Sequence, residues 1–309
     1  GPALAPDGRS IAYKAASPLG LEALARIPAD GFIAEFDLPG DIYLFDVASG
    51  GSALIAGQPE NASLFVEGAA DNAVIRSTPV WSPDGTRIAW TEYVYPAGAP
   101  QIAVYDLASG TQGVIAANVP ATPVQGAAPP LKWGTGGIAI VTSTDAAGEQ
   151  AFLIYAEDGT LRSSPRLAPV EGDAVADVVW VEGVNQLGIL YQSARWTLID
   201  PTTGVAQAAA DLPALTTAAP EARALRFGVD PDEGFFWEIA GENAAAPGAP
   251  SQVTLSPDGR LIAFTGFPSS GAVSIWQDGE TTAIPNTGSN LEQLQVGALL
   301  WGYTFWWMG

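Results

Sequence analysis

The side chains that could perform chemistry in this 309-residue chain are mainly carboxylates. The sequence contains 33 Asp and Glu residues but neither histidine nor cysteine. Their absence excludes thiolate nucleophiles, imidazole bases, disulfides, haem attachment and Cys/His zinc sites. What remains is the chemistry of paired carboxylates, as in glycoside hydrolysis, or of a cation held by carboxylate oxygens.

One acidic segment has a spacing that could bind calcium. Asp230 and Asp232 stand at positions i and i+2 of Asp-Pro-Asp-Glu-Gly, as oxygen ligands do in calcium loops. The segment lacks the further acidic residue and the downstream bidentate Glu of an EF-hand. A plain acidic turn is therefore favoured, with these two aspartates as a weak calcium candidate. No carboxylate pair is marked out for catalysis, so we expect no enzyme and no other cofactor.

Three aspartates occur in a repeated phrase of the form Ser/Ala-Pro-Asp-Gly, followed by two further residues and Ile-Ala-aromatic. Proline presets the first corner of a turn, aspartate accepts hydrogen bonds from nearby amides, and glycine adopts the left-handed conformation that ends a hairpin loop. The phrase predicts strand, turn and strand. We therefore expect its aspartates to be structural and far apart: Asp7, Asp84 and Asp258.

A second phrase consists of alternating apolar residues, an aspartate and a glycine four residues later. Its three clearest aspartates are Asp46, Asp106 and Asp200. This pattern predicts a further hairpin, in which the aspartate again accepts amide hydrogen bonds across the turn. These aspartates too are expected to be structural.

Two hairpins make one four-stranded antiparallel unit, and the unit recurs with a large apolar residue at its start. Spacings of mostly 46 to 52 residues, with abundant glycine and proline, predict an all-β fold and specifically a β-propeller. Six blades are favoured and seven are possible. The lead residues are Leu4, Trp81, Trp133, Trp180, Phe227, Leu255 and Trp301. The large aromatics among them are expected to wedge between adjacent sheets.

The aromatic-Ser-Pro-Asp-Gly-x-x-Ile-Ala-aromatic phrase resembles the repeat of TolB-like, WD40-like propellers. WD repeats fit less well because the chain has no histidine and no Trp-Asp pair. The resemblance implies a scaffold whose channel mouth and loops engage another protein or peptide. It says little about which partner is bound.

We predict a single propeller domain over 1–309 with an enlarged first unit, whose insertions cover about 14–40 and 57–78. Long loops in compact domains are usually functional. Aromatic residues in or beside these loops make Phe65, Tyr93 and Tyr95 candidates for partner binding. Asn61-Ala62-Ser63 is a candidate glycosylation sequon. The alternating aromatics of 301–307 are expected to close the ring.

Net charge limits the partners. The charge is 12 − 33 = −21, so nucleic acid and anionic lipid surfaces would repel the chain. No apolar run is long enough to span a bilayer, and we expect no membrane insertion. The lysine-poor, Trp-rich composition favours an extracellular, cell-surface or periplasmic location in a bacterium or archaeon. The abrupt start at Gly1-Pro2 suggests a processed product.

The sequence thus favours a non-catalytic, exported propeller that acts as a protein-binding or surface-assembly scaffold, with a protein or copies of itself as partner. One alternative is a subunit of an extracellular filament or cell-surface layer. A second is the propeller portion of a larger carbohydrate-active or peptide hydrolase.

Overall fold

The computed structural model describes residues 2–26, 38–123, 126–144, 148–170, 175–181, 184–191, 195–209, 225–230, 234–239, 242–245, 250–255, 262–266, 273–277 and 279–283. Within these ranges the chain is built of antiparallel strands and one helix, α1, at Pro18–Ala25. The all-β prediction is confirmed. The prediction of four-stranded sheets is confirmed for three of the six described sheets; two others carry a fifth strand and one has three strands.

Two compact units make up the chain. We call residues 1–16, 41–57 and 221–309 the terminal unit, and residues 17–40 and 58–220 the central unit. The insertion predicted near 14–40 therefore belongs mainly to the central unit, together with the second long loop.

The central unit contains three described sheets. The second sheet along the chain comprises β5 Val74–Arg76, β6 Val80–Trp81, β7 Arg87–Val94, β8 Gln101–Asp106 and β9 Thr111–Ala116. The third comprises β10 Leu131–Gly134, β11 Gly137–Thr144, β12 Gln150–Tyr155, β13 Leu161–Ser163 and β14 Arg166–Leu167. The fourth comprises β15 Val175–Val181, β16 Gln186–Tyr191, β17 Trp196–Ile199 and β18 Ala206–Ala209.

The terminal unit contains the first, fifth and sixth sheets. The first comprises β1 Ala3–Leu4, β2 Ser10–Ala16, β3 Gly40–Asp46 and β4 Gly51–Ala56. The fifth comprises β19 Leu225–Asp230, β20 Gly234–Ile239 and β21 Glu242–Ala245. The sixth comprises β22 Pro250–Leu255, β23 Ile262–Gly266, β24 Val273–Gln277 and β25 Glu280–Ala283.

In each sheet most strands pair with the next strand along the chain, although β5 and β6 both pair with β7 and β14 pairs with β12. Five of the predicted lead residues lie on the first strand of a sheet, at β1, β10, β15, β19 and β22, and Trp81 lies on β6, which follows β5 in the second sheet. The short interval between Phe227 and Leu255 holds the three-stranded fifth sheet. Trp301, with the tail that follows it, and Asp258 lie outside the described residues.

The turns form as their residue types predict. In the β3–β4 turn the Asp46 side chain accepts the Ser49 amide at 2.7 Å, and the Gly50 amide donates to the Asp46 carbonyl at 2.9 Å. Gly50 has a φ of 68°, a conformation that costs other residues free energy. The local sequence therefore fixes where the chain reverses.

The third sheet is buried on both faces because its side chains alternate between two neighbours. Ile138 and Ile140 of β11 pack with the second sheet, in a cluster that includes Ala89 and Ile102. The intervening Ala139 packs with the fourth sheet, beside Leu187. Strand β12 repeats the alternation, which stacks the three sheets of the central unit face to face.

Lead tryptophans occupy the spaces between stacked sheets. Trp133 lies in the cluster that joins the second and third sheets, and the guanidinium carbon of Arg87 lies 4.9 Å from the centre of its ring. Trp180 of the fourth sheet packs so closely on Gly136 that a Cβ there would lie 2.1 Å from its ring. The expected wedging is confirmed for both tryptophans.

In the terminal unit the first and sixth sheets pack together. Ile11, Tyr13 and Phe45 of the first sheet form a buried cluster with Ile275 of the sixth. Tyr13 also stacks on Tyr43, with ring centres 5.5 Å apart. The first and last described sheets are therefore neighbours, although they lie at opposite ends of the chain.

Replacing Gly159 with alanine should destabilise the protein by about 2–4 kcal/mol. Gly159 has a φ of 85°, and a Cβ there would lie 1.7 Å from the Ile115 carbonyl oxygen of β9. Gly113→Ala is the matched control, since a Cβ at Gly113 meets nothing within 4 Å. Urea unfolding followed by tryptophan fluorescence measures both variants. Equal unfolding midpoints would contradict this packing.

Candidate functional site

Helix α1 begins at a capped serine. The Ser17 hydroxyl accepts the Gly20 amide at 3.0 Å and donates to the Pro39 carbonyl at 2.8 Å, and Pro18 occupies the first helical position. Both residue types favour a helix start. Ser17 is fully buried, so the cap also joins the helix to the chain that enters β3.

The long loop between β4 and β5 is held by side-chain hydrogen bonds to its own backbone. The Asn72 carboxamide accepts the Ser63 amide at 2.6 Å and donates to the Asn61 carbonyl at 3.3 Å. At its base, Gln58 exchanges two hydrogen bonds with the Val74 backbone, each 2.9 Å long. The loop therefore has a defined conformation without regular secondary structure.

An apolar anchor fixes this loop against the helix. Leu64 is fully buried with Ala23 of α1 and Ala73, and Leu19 and Tyr95 pack against them. In addition, Arg26 donates to the Leu64 carbonyl at 3.0 Å. The helix, the loop and the end of β7 therefore form one platform within the central unit.

Phe65 stands at the edge of this platform. Its side chain is partly exposed, and its ring meets that of Tyr95 edge to face, with centres 6.2 Å apart. Its φ of 54° is uncommon for a residue with a bulky side chain, and its amide donates to the Asp71 carboxylate at 2.7 Å. Val66 and Val94, next to these aromatics in the chain, are exposed. We call Phe65, Val66, Val94 and Tyr95 the Phe65 surface.

Tyr93, one of the three predicted partner-binding residues, is buried in the structure. Tyr93 is 2% exposed and packs with Ile75 and Ala128, and its hydroxyl donates to the Gly126 carbonyl at 2.6 Å. Side chains alternate along β7, so that Val94 points outward where Tyr93 points inward. The structure therefore brings two of the three predicted partner-binding residues, Phe65 and Tyr95, together. The third, Tyr93, packs in the interior with Ile75 of β5.

A buried ion pair lies at the base of the platform. The Arg76 Nε lies 2.9 Å from Glu92 Oε2, and both side chains are almost fully buried. Glu92 also accepts the Trp90 indole N–H at 2.9 Å and the Gln101 amide at 3.0 Å. Arg76 donates in turn to the Gly40 carbonyl at 2.8 Å. Each charge therefore has several hydrogen-bond partners, as burial requires.

The five repeated aspartates that the structure describes are confirmed as turn residues, each in a separate turn, whereas Asp258 lies outside the described residues. Asp84 accepts the Ser82 hydroxyl at 2.6 Å and the Thr86 amide at 3.1 Å. Hydrogen bonds from turn residues lower the pKa of four of these carboxylates below the usual value of aspartate: Asp46, Asp84, Asp106 and Asp200. Asp7 accepts the Arg9 amide in the β1–β2 turn.

The remaining predicted site residues are placed as follows. Asn61 is exposed, and its glycosylation stays a prediction. Asp230 ends β19, whereas Asp232 lies outside the described residues, so the calcium prediction is untested. Within the described ranges, no group of three or more acidic side chains is arranged to hold a metal ion. No helix among these residues is long and apolar enough to cross a membrane.

No protein-family model matches the sequence, and no curated protein matches it. Solved structures do resemble the chain at low identity. TolB from Acinetobacter baumannii is 14% identical with a TM-score of 0.39, over 93% of this chain and 54% of that one. The β-propeller domain of the Trilobed protease from Pyrococcus furiosus is 14% identical with a TM-score of 0.42, over 92% and 81%.

A third similar structure is the acylaminoacyl peptidase from Pyrococcus horikoshii, 14% identical with a TM-score of 0.45, over 92% of this chain and 45% of that one. The chain therefore spans only about half of the TolB and acylaminoacyl peptidase chains. Similarity at this level does not assign a function.

Glu92→Ala should destabilise the protein by about 3–5 kcal/mol, because it removes the carboxylate that pairs with the buried Arg76 guanidinium. The control is Glu22→Ala, which removes the exposed Glu22–Arg26 pair and should cost no more than about 1 kcal/mol. Thermal unfolding followed by circular dichroism measures both. A loss for Glu92→Ala as small as that of the control would contradict a buried pair.

Asp106→Asn should lower stability at neutral pH and have a vanishing effect in acid. The Ser109 amide and hydroxyl lower the pKa of folded Asp106, so its ionised form stabilises the fold. This stabilisation is present above the pKa of the unfolded state and is lost as pH falls through the folded pKa. Urea midpoints across this pH range measure the effect, and Glu60→Gln, at an exposed glutamate, is the control. A difference between wild type and Asp106→Asn that does not depend on pH would contradict the mechanism.

Proposed function

We propose that this chain is a non-catalytic, exported β-propeller of six blades that binds another protein through the Phe65 surface. The observation that carries the proposal is the exposed Phe65 ring, paired with Tyr95 on a platform that a buried apolar cluster and hydrogen bonds hold in place.

The Phe65 surface has the features of a binding anchor. Binding energy at protein interfaces concentrates in a few aromatic residues surrounded by contacts that exclude water. Phe65 and Tyr95 supply two rings, and Val66 and Val94 supply exposed apolar area beside them. Because Leu64, Asn72 and Arg26 already hold the loop, little conformational entropy would be lost when a partner binds.

The backbone at Phe65 points to a functional reason for a phenylalanine there. A residue with a Cβ pays about 1–2 kcal/mol in the left-handed conformation, a cost that glycine would avoid. Strain of this kind persists where the surroundings impose it and is concentrated at functional positions. A phenylalanine at this position presents its ring to solvent at a cost in stability.

A non-catalytic role is supported by the use that the chain makes of its acidic residues. Five repeated aspartates are committed to separate turns, and Glu92 is committed to the Arg76 pair. With no histidine or cysteine in the sequence, imidazole bases and thiolate nucleophiles are missing.

The six-bladed ring is supported by two features of sheet packing. Sheets that follow one another in the central unit stack face to face, as blades do. In the terminal unit the first sheet packs on the sixth, which is the contact that closing a ring of sheets in chain order requires.

A second candidate, a subunit of an extracellular assembly, is favoured by the outer strands. β4 and β9 contain no charged residue, and Leu54 and Val114 on them are about half exposed. Uncharged edge strands can pair with a further chain. This candidate predicts self-association that Phe65 does not influence.

Selection of phage-displayed random peptides on the immobilised chain tests the proposed function. We expect peptides that bind the wild type and are lost on Phe65→Gly, since that change removes the ring and relaxes the backbone while the fold is retained. Leu161→Ala, at an equally exposed apolar residue elsewhere in the central unit, is the control and should keep binding.

Two results would overturn the proposal. One is a failure to select any peptide whose binding depends on Phe65. The other is concentration-dependent polymerisation of both wild type and Phe65→Gly in sedimentation velocity, which would favour the assembly subunit instead.

A further inference from the structure

We infer that the partner segment bound at the Phe65 surface is basic: an apolar side chain flanked by lysine or arginine. This inference rests on the proposed function and specifies the chemistry of its partner. It is carried by the charges that surround the two aromatic rings.

The loop that presents Phe65 is acidic throughout. Residues 57–73 contain three carboxylates and no basic residue. Glu67, two positions after Phe65, is exposed and has no hydrogen bond or ion pair among the described residues. The backbone amide of Phe65 donates a hydrogen bond to the Asp71 carboxylate. One carboxylate therefore has a fixed position beside the Phe65 backbone.

In the part of the chain that the structure describes, the other side of the surface carries no compensating charge. Residues 94–100, which contain Tyr95, include no charged residue. The basic group that reaches this loop is Arg26, and its guanidinium already lies 3.1 Å from a Glu22 carboxylate oxygen. The local balance is therefore negative, and a partner cation within about 8 Å would be attracted in physiological salt.

The aromatic rings favour the same partner. A guanidinium or ammonium group is attracted to the face of a phenylalanine or tyrosine ring. When an apolar side chain of the partner covers part of the rings, water is excluded and the attraction between a flanking cation and Glu67 or Asp71 becomes stronger. Apolar and basic groups in one segment would thus reinforce each other.

A second copy of this chain does not fit this description. Each copy carries a net charge of −21 with only 12 basic residues, so two copies repel each other at long range. The acidic surface therefore favours a partner that is a different protein over self-assembly through this face.

Two peptide libraries that differ only in the sign of their charge test the inference. Both display 12-residue peptides with the same random apolar centre, and the flanking positions are restricted to Lys and Arg in one library and to Asp and Glu in the other. We expect Phe65-dependent binders from the basic library, with affinities at least about tenfold higher than the best from the acidic one. Fluorescence anisotropy of the selected peptides gives the affinities.

A variant then assigns the preference to the loop. Glu67→Lys should weaken the basic peptides by about threefold to tenfold, and the affinity of the wild type should fall as salt is raised. The control is Glu157→Lys, at an acidic residue that pairs with Arg87 away from this loop, and it should leave the affinity unchanged.

The outcomes separate this inference from the proposed function. The inference of a basic partner would be wrong if both libraries gave Phe65-dependent binders of equal affinity, or if Glu67→Lys did not change the affinity. Either result would still support the Phe65 surface as a binding site. If neither library yields Phe65-dependent binders, both the surface and the partner chemistry fail.

Discussion

The third sheet is apolar on both faces, and this constraint governs the rest of the fold. One face of this sheet carries Ile138 and Ile140, and the other carries Ala139 and Ile154. Exposing either apolar face to water would be unfavourable. The third sheet needs a neighbouring sheet on each side. Within the central unit the second and fourth sheets supply these two neighbours, so that the three sheets form a stack.

Close stacking in turn sets the residues allowed at the points of contact. Trp180 lies directly on Gly134 and Gly136, and the Gly159 turn of the third sheet lies on the backbone of β9. Side chains at these glycines would push the sheets apart. The glycines are thus needed both for their backbone conformation and for the space that they leave.

Polar interactions have a different role, since they fix the geometry of the loops. The Arg76–Glu92 pair is bonded to Trp90, Gln101 and the Gly40 carbonyl and lies at the end of the long loop. Buried pairs of this kind add little net stability compared with apolar residues, but they are costly to break. The platform beneath Phe65 is therefore defined by hydrogen bonds and filled by a small apolar cluster around Leu64.

The sequence by itself determined the features that depend on a few adjacent residues. Pro-Asp-Gly and Asp-x-x-x-Gly encode a turn within four or five positions, so the hairpins, the all-β class and the lead residues of the sheets could be predicted. Phe65 and Tyr95 were recognisable as aromatics near long loops. Only the tertiary structure decided that Tyr93 is buried, that Phe65 has a left-handed backbone and that Arg76 pairs with Glu92. These features depend on packing between residues that are distant in the chain, such as Leu64 with Ala23 and Tyr93 with Ala128. A local sequence pattern does not predict which distant residues will be in contact.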